Sequence, residues 1–143
     1  MSAATRSAVV PPVREGGQAQ YVEHLVPRNA VATGLGPTRE WMLMRLDEPL
    51  TLSAMAAHAG YSERSFIRRF HAETGLPPLR WLHGQRVQKA RRLLERTDSD
   101  LEAVASATGF GTAATLRLHF GRALGTTPSA YRKTWAAVRE SAG

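Results

Sequence analysis

The chain has 143 residues, room for one ordinary domain or a small tandem of sub-domains. Hydrophobic residues make up 43%, enough for a packed core, and the absence of cysteine excludes disulfides, thiolate zinc and cysteine nucleophiles. Lys plus Arg number 19 against 12 Asp plus Glu, a net charge of +7 carried almost wholly by arginine, since Lys89 and Lys133 are the only lysines. Guanidinium forks suit phosphate and guanine, which makes nucleic acid the first partner to test, although GC-rich coding also raises arginine and alanine. No apolar run approaches the roughly 18–20 residues of a membrane span. Met1 to Val10 lacks the charged-then-apolar order of a secretory signal. These features predict an intracellular, cytoplasmic and nucleoid-associated protein with no membrane partner.

Residues 1–37 hold Pro11, Pro12, Gly16, Gly17, Pro27, Gly34, Gly36 and Pro37 without a sustained period. They read as a flexible linker or tail, with a short extended piece around Ala19–Val22. From Thr38 to about residue 138 the pattern is helical, and 139–143 reads as a tail. A first helix at about 39–46 carries Trp41, Met42, Met44 and Leu46, with Pro49 after its end.

An internal repeat then decides the fold. The run TLSAMAAHAGY (51–61) matches DLEAVASATGF (100–110) at an offset of 49. One extra residue, Gly111, shifts the offset to 50, after which Phe66 matches Leu116, Phe70 matches Phe120, Gly75 matches Gly125 and Pro78 matches Pro128. Each copy reads as helix, turn, helix. Thr51 and Asp100 cap the first helices, Ser62 and Thr112 the second, and Gly60 and Gly109 fall where a chain leaving a helix needs positive φ. The copies span about 51–75 and 100–125. A linker helix at about 78–96, roughly 27 Å long, joins them with Trp81, Leu82, Val87, Ala90, Leu93 and Leu94 inward. A last helix at about 128–138 carries Tyr131 and Trp135. The prediction is an all-α fold of two helix-turn-helix sub-domains.

Taking Phe66 as zero and about 100° per residue, Phe70 falls at about 40° and turns inward with it, whereas Arg64 and Arg68 fall at about 160° and 200°, on an outward stripe. Two guanidiniums near a helix N-terminus can enter the major groove and each grip a guanine edge. Arg69, on the flank, suits phosphate. A solvated basic face is the plain alternative, and the tandem repeat argues for DNA. In the second copy the stripe holds Ala114 and Leu118. Ala113, Ala114 or Leu118 can touch thymine methyls, while Thr112, Thr115, His119 and Arg122 can hold phosphates. Arg117 is the one candidate base reader there, with an intramolecular role equally open. The first copy is expected to specify and the second mainly to anchor.

Other motifs lack their required context. The stretch from Gly109 to Ala114 fits a loose dinucleotide fingerprint but follows an alanine-rich helix instead of a strand. His71-Ala72-Glu73 lacks the cysteines that complete a zinc deaminase signature. His24, His58, His71, His83 and His119 show no metal-ligand spacing and read as isolated surface or packing residues. No Ser/His/Asp arrangement stands out, so neither enzymatic activity nor a metal or cofactor is expected.

Residues 38–138 resemble the paired helix-turn-helix domain of the AraC/XylS family of bacterial transcription regulators. The resemblance rests on Ala56, Gly60, Tyr61, Ser62, Phe66, Arg69, Phe70, Gly75 and Pro78 in the first unit. Ala-Arg-Arg-Leu-Leu (90–94) carries it in the linker helix, and Val104, Ala105, Gly109, Phe110, Phe120, Gly125, Pro128, Tyr131 and Arg132 in the second unit. It implies about seven helices, with two recognition helices in successive major-groove segments of a double-stranded promoter or operator. It also implies a sequence-specific regulator, with RNA polymerase as a candidate second partner. By position, the base readers it implies are Arg64, Ile67 and Arg68, then Ala113, Ala114, Arg117 and Leu118. The phosphate set is Thr51, Arg69, Thr112, Thr115, His119 and Arg122. The alternative is a basic helical module that binds nucleic acid without base preference.

The segment 9–23 is similar to the stretch that closes the amidase-like sensor domain in the GlxA/FtrA-like, AdpA-like subgroup. A sensor precedes this point in that architecture, and Met1 does here. The expectation is an excised fragment, a mis-assigned start or a stand-alone DNA-binding remnant, monomeric in isolation.

Overall fold

The computed structural model describes residues 34–142. The expected extended piece around Ala19–Val22, the sensor-like stretch 9–23 and most of the expected linker lie outside the described residues. Among the described residues there are seven α-helices and no strand: α1 Gly36–Leu43, α2 Leu52–Ala59, α3 Glu63–Thr74, α4 Pro78–Arg96, α5 Leu101–Thr108, α6 Ala113–Leu124 and α7 Pro128–Ala142.

Local chemistry sets most boundaries. Thr51, Ser62, Asp100 and Thr112 each accept a backbone N–H three residues on, at 2.8–3.2 Å, and so satisfy a donor with no partner inside its helix. Pro78 opens α4, where a missing N–H costs nothing. The Thr97 hydroxyl donates back to Leu93 O at 2.7 Å where α4 stops. Gly60 and Gly109 close α2 and α5 with φ of 81° and 89°, a region that penalises any side chain.

The inward positions read from the period are buried. Phe66, Phe70, Leu116 and Phe120 have no exposed surface, and Leu82, Val87, Ala90 and Leu94 line the inner side of α4. Each buried phenylalanine contributes roughly 1.5–3 kcal/mol through area removed from water. In the first unit Phe66 and Phe70 pack with ring centroids 5.5 Å apart, and Phe70 meets the edge of Trp81 at 5.5 Å. In the second unit Val87, Ala90, Leu94, Val104, Ala105, Phe110, Leu116 and Phe120 form one cluster, against which Leu93, Leu101 and Tyr131 pack. The linker helix therefore contributes to both units.

Two helix boundaries differ from expectation. Helix α1 stops at Leu43, not near 46, because residues 44–47 turn through short-range bonds such as Arg45 N–H to Met42 O at 3.0 Å. Helix α7 continues to Ala142, through the expected tail. Arg132 donates to Leu94 O and Thr97 O at 3.3 and 3.2 Å, Tyr131 donates to the Glu95 carboxylate, and Arg139 donates to Glu95 O. These bonds tie α7 to the C-terminal end of α4, whose last carbonyls need donors.

Candidate nucleic-acid interface

Helix α3 turns one face to its Phe pair and the other to solvent. Arg64, Ile67, Arg68 and Arg69 are all exposed, Ile67 at 39%. Among the described residues neither Arg64 nor Arg68 joins an ion pair. Their guanidiniums stand one helical turn apart just after the Ser62 cap, with the α3 N-terminus supplying a further positive field. Arg69 is placed differently: its guanidinium stacks over the Tyr61 ring at 4.6 Å, which fixes it on the flank of the helix. Thr51 is exposed at the start of α2, its hydroxyl oxygen accepting the Ala54 N–H.

The repeat reproduces this arrangement with other residues. His119, the counterpart of Arg69, stacks on Phe110, the counterpart of Tyr61, with centroids 5.1 Å apart and planes 14° apart. Ala114, Arg117 and Leu118 are exposed on α6, Leu118 at 49%. Ala113 is not on that surface. It is 3% exposed, and its N–H donates to the Glu102 carboxylate at 3.3 Å. The reason is geometric: at about 100° per residue it lies about 60° from Leu116, on the core side, so its methyl packs inward. Thr112 and Thr115 are tied to each other, hydroxyl to hydroxyl at 3.1 Å. Arg122 is exposed at the C-terminal end of α6.

Three participants carried no signal in the sequence. Glu102 holds the first N–H of α6 from the preceding helix. His83, read as isolated, lies 4.2 Å from His119 between ring centroids. Burial, the neighbouring His119, Arg86 and Arg122 together lower the His83 pKa from its usual 6.5. Burial first, then Arg122 and Arg86, lower that of His119. Both rings are therefore neutral at pH 7. They line a recess of about 500 Å³ with Leu76, Arg80, Val87 and Arg122. Among the described residues no group of three His, Asp or Glu could hold a metal, and no helix is long and apolar enough to cross a membrane. The third, Arg86, is 7% exposed; its Nε donates to Leu46 O at 3.0 Å and its NH2 to Glu48 O at 2.8 Å.

Comparison with known proteins agrees with this fold. The family described as Helix-turn-helix domain matches residues 55–134. The chain is 41% identical over 85 residues to the HTH-type transcriptional regulator Rv1931c of Mycobacterium tuberculosis, covering 59% of this chain and 33% of that protein. It is 34% identical over 94 residues to the HTH-type transcriptional regulator GlxA of Rhizobium meliloti, covering 66% and 28%. The crystal structure of the DNA-binding domain of AdpA, a global transcriptional factor in complex with a target DNA, superposes with a TM-score of 0.72 at 43% identity, over 74% of this chain and 96% of that one. The chain spans about a third of the length of the curated relatives it matches. Two capped helix-turn-helix units, one linker helix and these matches together place the chain in the AraC-type helix-turn-helix family.

Proposed function

We propose that this chain is the sequence-specific, double-stranded-DNA-binding part of a transcription regulator, with α3 reading bases in a major groove and α6 mainly anchoring to the backbone. The observation that carries the reading is the contrast between two matched surfaces. Helix α3 presents Arg64 and Arg68 exposed and, among the described residues, outside any ion pair, with Ile67 beside them. Helix α6 presents Ala114 and Leu118 at the corresponding positions. A guanidinium can grip the O6/N7 edge of guanine with two bonds, whereas a methyl or isobutyl group offers only apolar contact to a thymine methyl. Arg69, Arg122, Thr51, Thr112, Thr115 and His119 are the backbone contacts of this reading, and Arg117 is the second unit's remaining polar reader. A monomeric state on DNA, and RNA polymerase as a second partner, belong to the same proposal.

Selection of bound duplexes from a random pool, repeated with single variants, tests it. Arg64→Ala or Arg68→Ala is expected to relax one G·C preference and to lower specific affinity about 5- to 150-fold, the equivalent of roughly 1–3 kcal/mol. Non-specific binding should change little. Arg117→Ala should cost less and act alike on all sequences. Loss of all preference on Arg117→Ala, with both first-unit variants still selective, would put the reading head in α6. A wild-type chain that selects no sequence would support the non-specific module instead.

A further inference from the structure

Arg86 is the one charged side chain among the described residues that is buried. Both its hydrogen bonds end on backbone carbonyls of the loop between α1 and α2, in the first unit. The same guanidinium lies against Gly109, in the turn between α5 and α6 of the second unit. A Cβ built on Gly109 would stand 1.9 Å from Leu46 O, 2.6 Å from Arg86 Nε and 2.9 Å from Arg86 Cζ. Loop, linker helix and second turn therefore meet at one point. The helix-turn-helix turn does not itself require this closeness. Gly60, the repeat partner of Gly109, has the same left-handed conformation, and a Cβ added there would meet nothing within 4 Å.

From this juxtaposition we propose that Arg86, seated against Gly109, locks the two recognition helices in one relative placement, so that the site gripped by α3 dictates where α6 lands on the DNA. The inference rests on the DNA-binding reading above. A buried apolar side chain would pack α4 at less desolvation cost but would supply no directional bond. Two hydrogen bonds from a planar fork to two fixed carbonyls are directional and tolerate only tenths of an ångström. Gly109 then fits against that fork only at one separation. Preorganising both units in this way spares the ordering cost of binding them one after the other.

The experiment uses the whole chain and the duplex it selects. Hydroxyl-radical footprinting of the wild type should show two sharp protected patches at one separation. Arg86→Met should leave the α3 patch sharp, blur the α6 patch across neighbouring phosphates and weaken affinity about tenfold. Arg86→Lys, which keeps the charge but not the fork, should fall between the two, and it serves as the informative variant if Arg86→Met does not fold. A second readout needs no DNA. The chain has no cysteine, so spin labels on Ala57→Cys in α2 and Ser106→Cys in α5 report the distance between units. That distribution should be narrow in the wild type and broad in the Arg86 variants. A footprint of unchanged shape, with a uniform loss of affinity and an unchanged distance distribution, overturns the lock while leaving the DNA reading intact. A wild-type chain that protects no defined site brings down both.

Discussion

Gly60 and Gly109 occupy equivalent places in the repeat, yet alanine should be far costlier at the second. At both sites alanine must adopt a left-handed conformation, φ 81° and 89°, at about 1–2 kcal/mol, partly offset by about 0.4–1 kcal/mol from a stiffer unfolded chain. At Gly60 the new methyl meets open space, so the net cost stays near 1 kcal/mol. At Gly109 it meets a backbone oxygen at 1.9 Å, which has no rotamer to move to. Either the loop at Leu46 or the turn at Gly109 must shift by an ångström or more, adding about 1–3 kcal/mol of overpacking. The shift also strains the Arg86 bonds of 3.0 and 2.8 Å, and losing a bond from a buried charged group costs about 1.5–3 kcal/mol. Gly109→Ala should therefore destabilise by about 3.5–7 kcal/mol, against about 1 for Gly60→Ala. For a domain of this size that is a melting-point drop of roughly 15 °C or more against about 5 °C. Urea and thermal melts followed by circular dichroism measure both. Equal losses, within about 0.5 kcal/mol, would refute the close approach of Gly109 to Leu46 and Arg86.

Affinity for specific DNA should fall steeply with salt: with roughly 5–8 phosphates neutralised, log K against log salt should slope at about −5 to −7, and a slope near −2 would show that the basic excess is not the binding surface. His83 and His119 have folded pKa values below their unfolded 6.5, so the unfolded chain takes up more protons as pH falls past 6.5. Stability should thus be full above that pH and be lost as pH drops through the lowered folded values, a loss that urea midpoints at pH 7.5 and 5.0 should show shrinking in a His83→Gln/His119→Gln double variant. Phe120→Ala, at a fully buried site, should cost about 3–5 kcal/mol in the same melts. Sedimentation of the DNA-free chain should report a monomer, since no spare apolar heptad offers a seam; a stable dimer would contradict that part of the proposal.

The features legible in the sequence are those whose causes are local. A capping oxygen acts three residues away, a left-handed glycine acts at its own φ, and the 3.6-residue period sorts Phe66 and Phe70 from Arg64 and Arg68 without help from the rest of the chain. The offsets of 49 and 50 carried that logic into a second copy, and so the helix order, the two units and the outward arginine stripe followed from residue types alone. Ala113 marks a limit of position-by-position transfer: its place about 60° from Leu116 puts its methyl on the core side, where it is 3% exposed.

Tertiary structure alone decided what lies between the units. Arg86 looks in sequence like one more surface arginine of a basic helix. Its partners are main-chain carbonyls about forty positions earlier, at Leu46 and Glu48, and every residue in the chain has such a carbonyl. Gly60 and Gly109 both close a helix in the left-handed conformation, and the approach of a distant loop makes one crowded and the other free. His83 and His119 come together for the same reason: helices α4 and α6 cross there. Contacts of this kind depend on where whole helices pack, which summed burial of Phe110, Leu116, Phe120 and their neighbours settles, and no spacing along the chain encodes it.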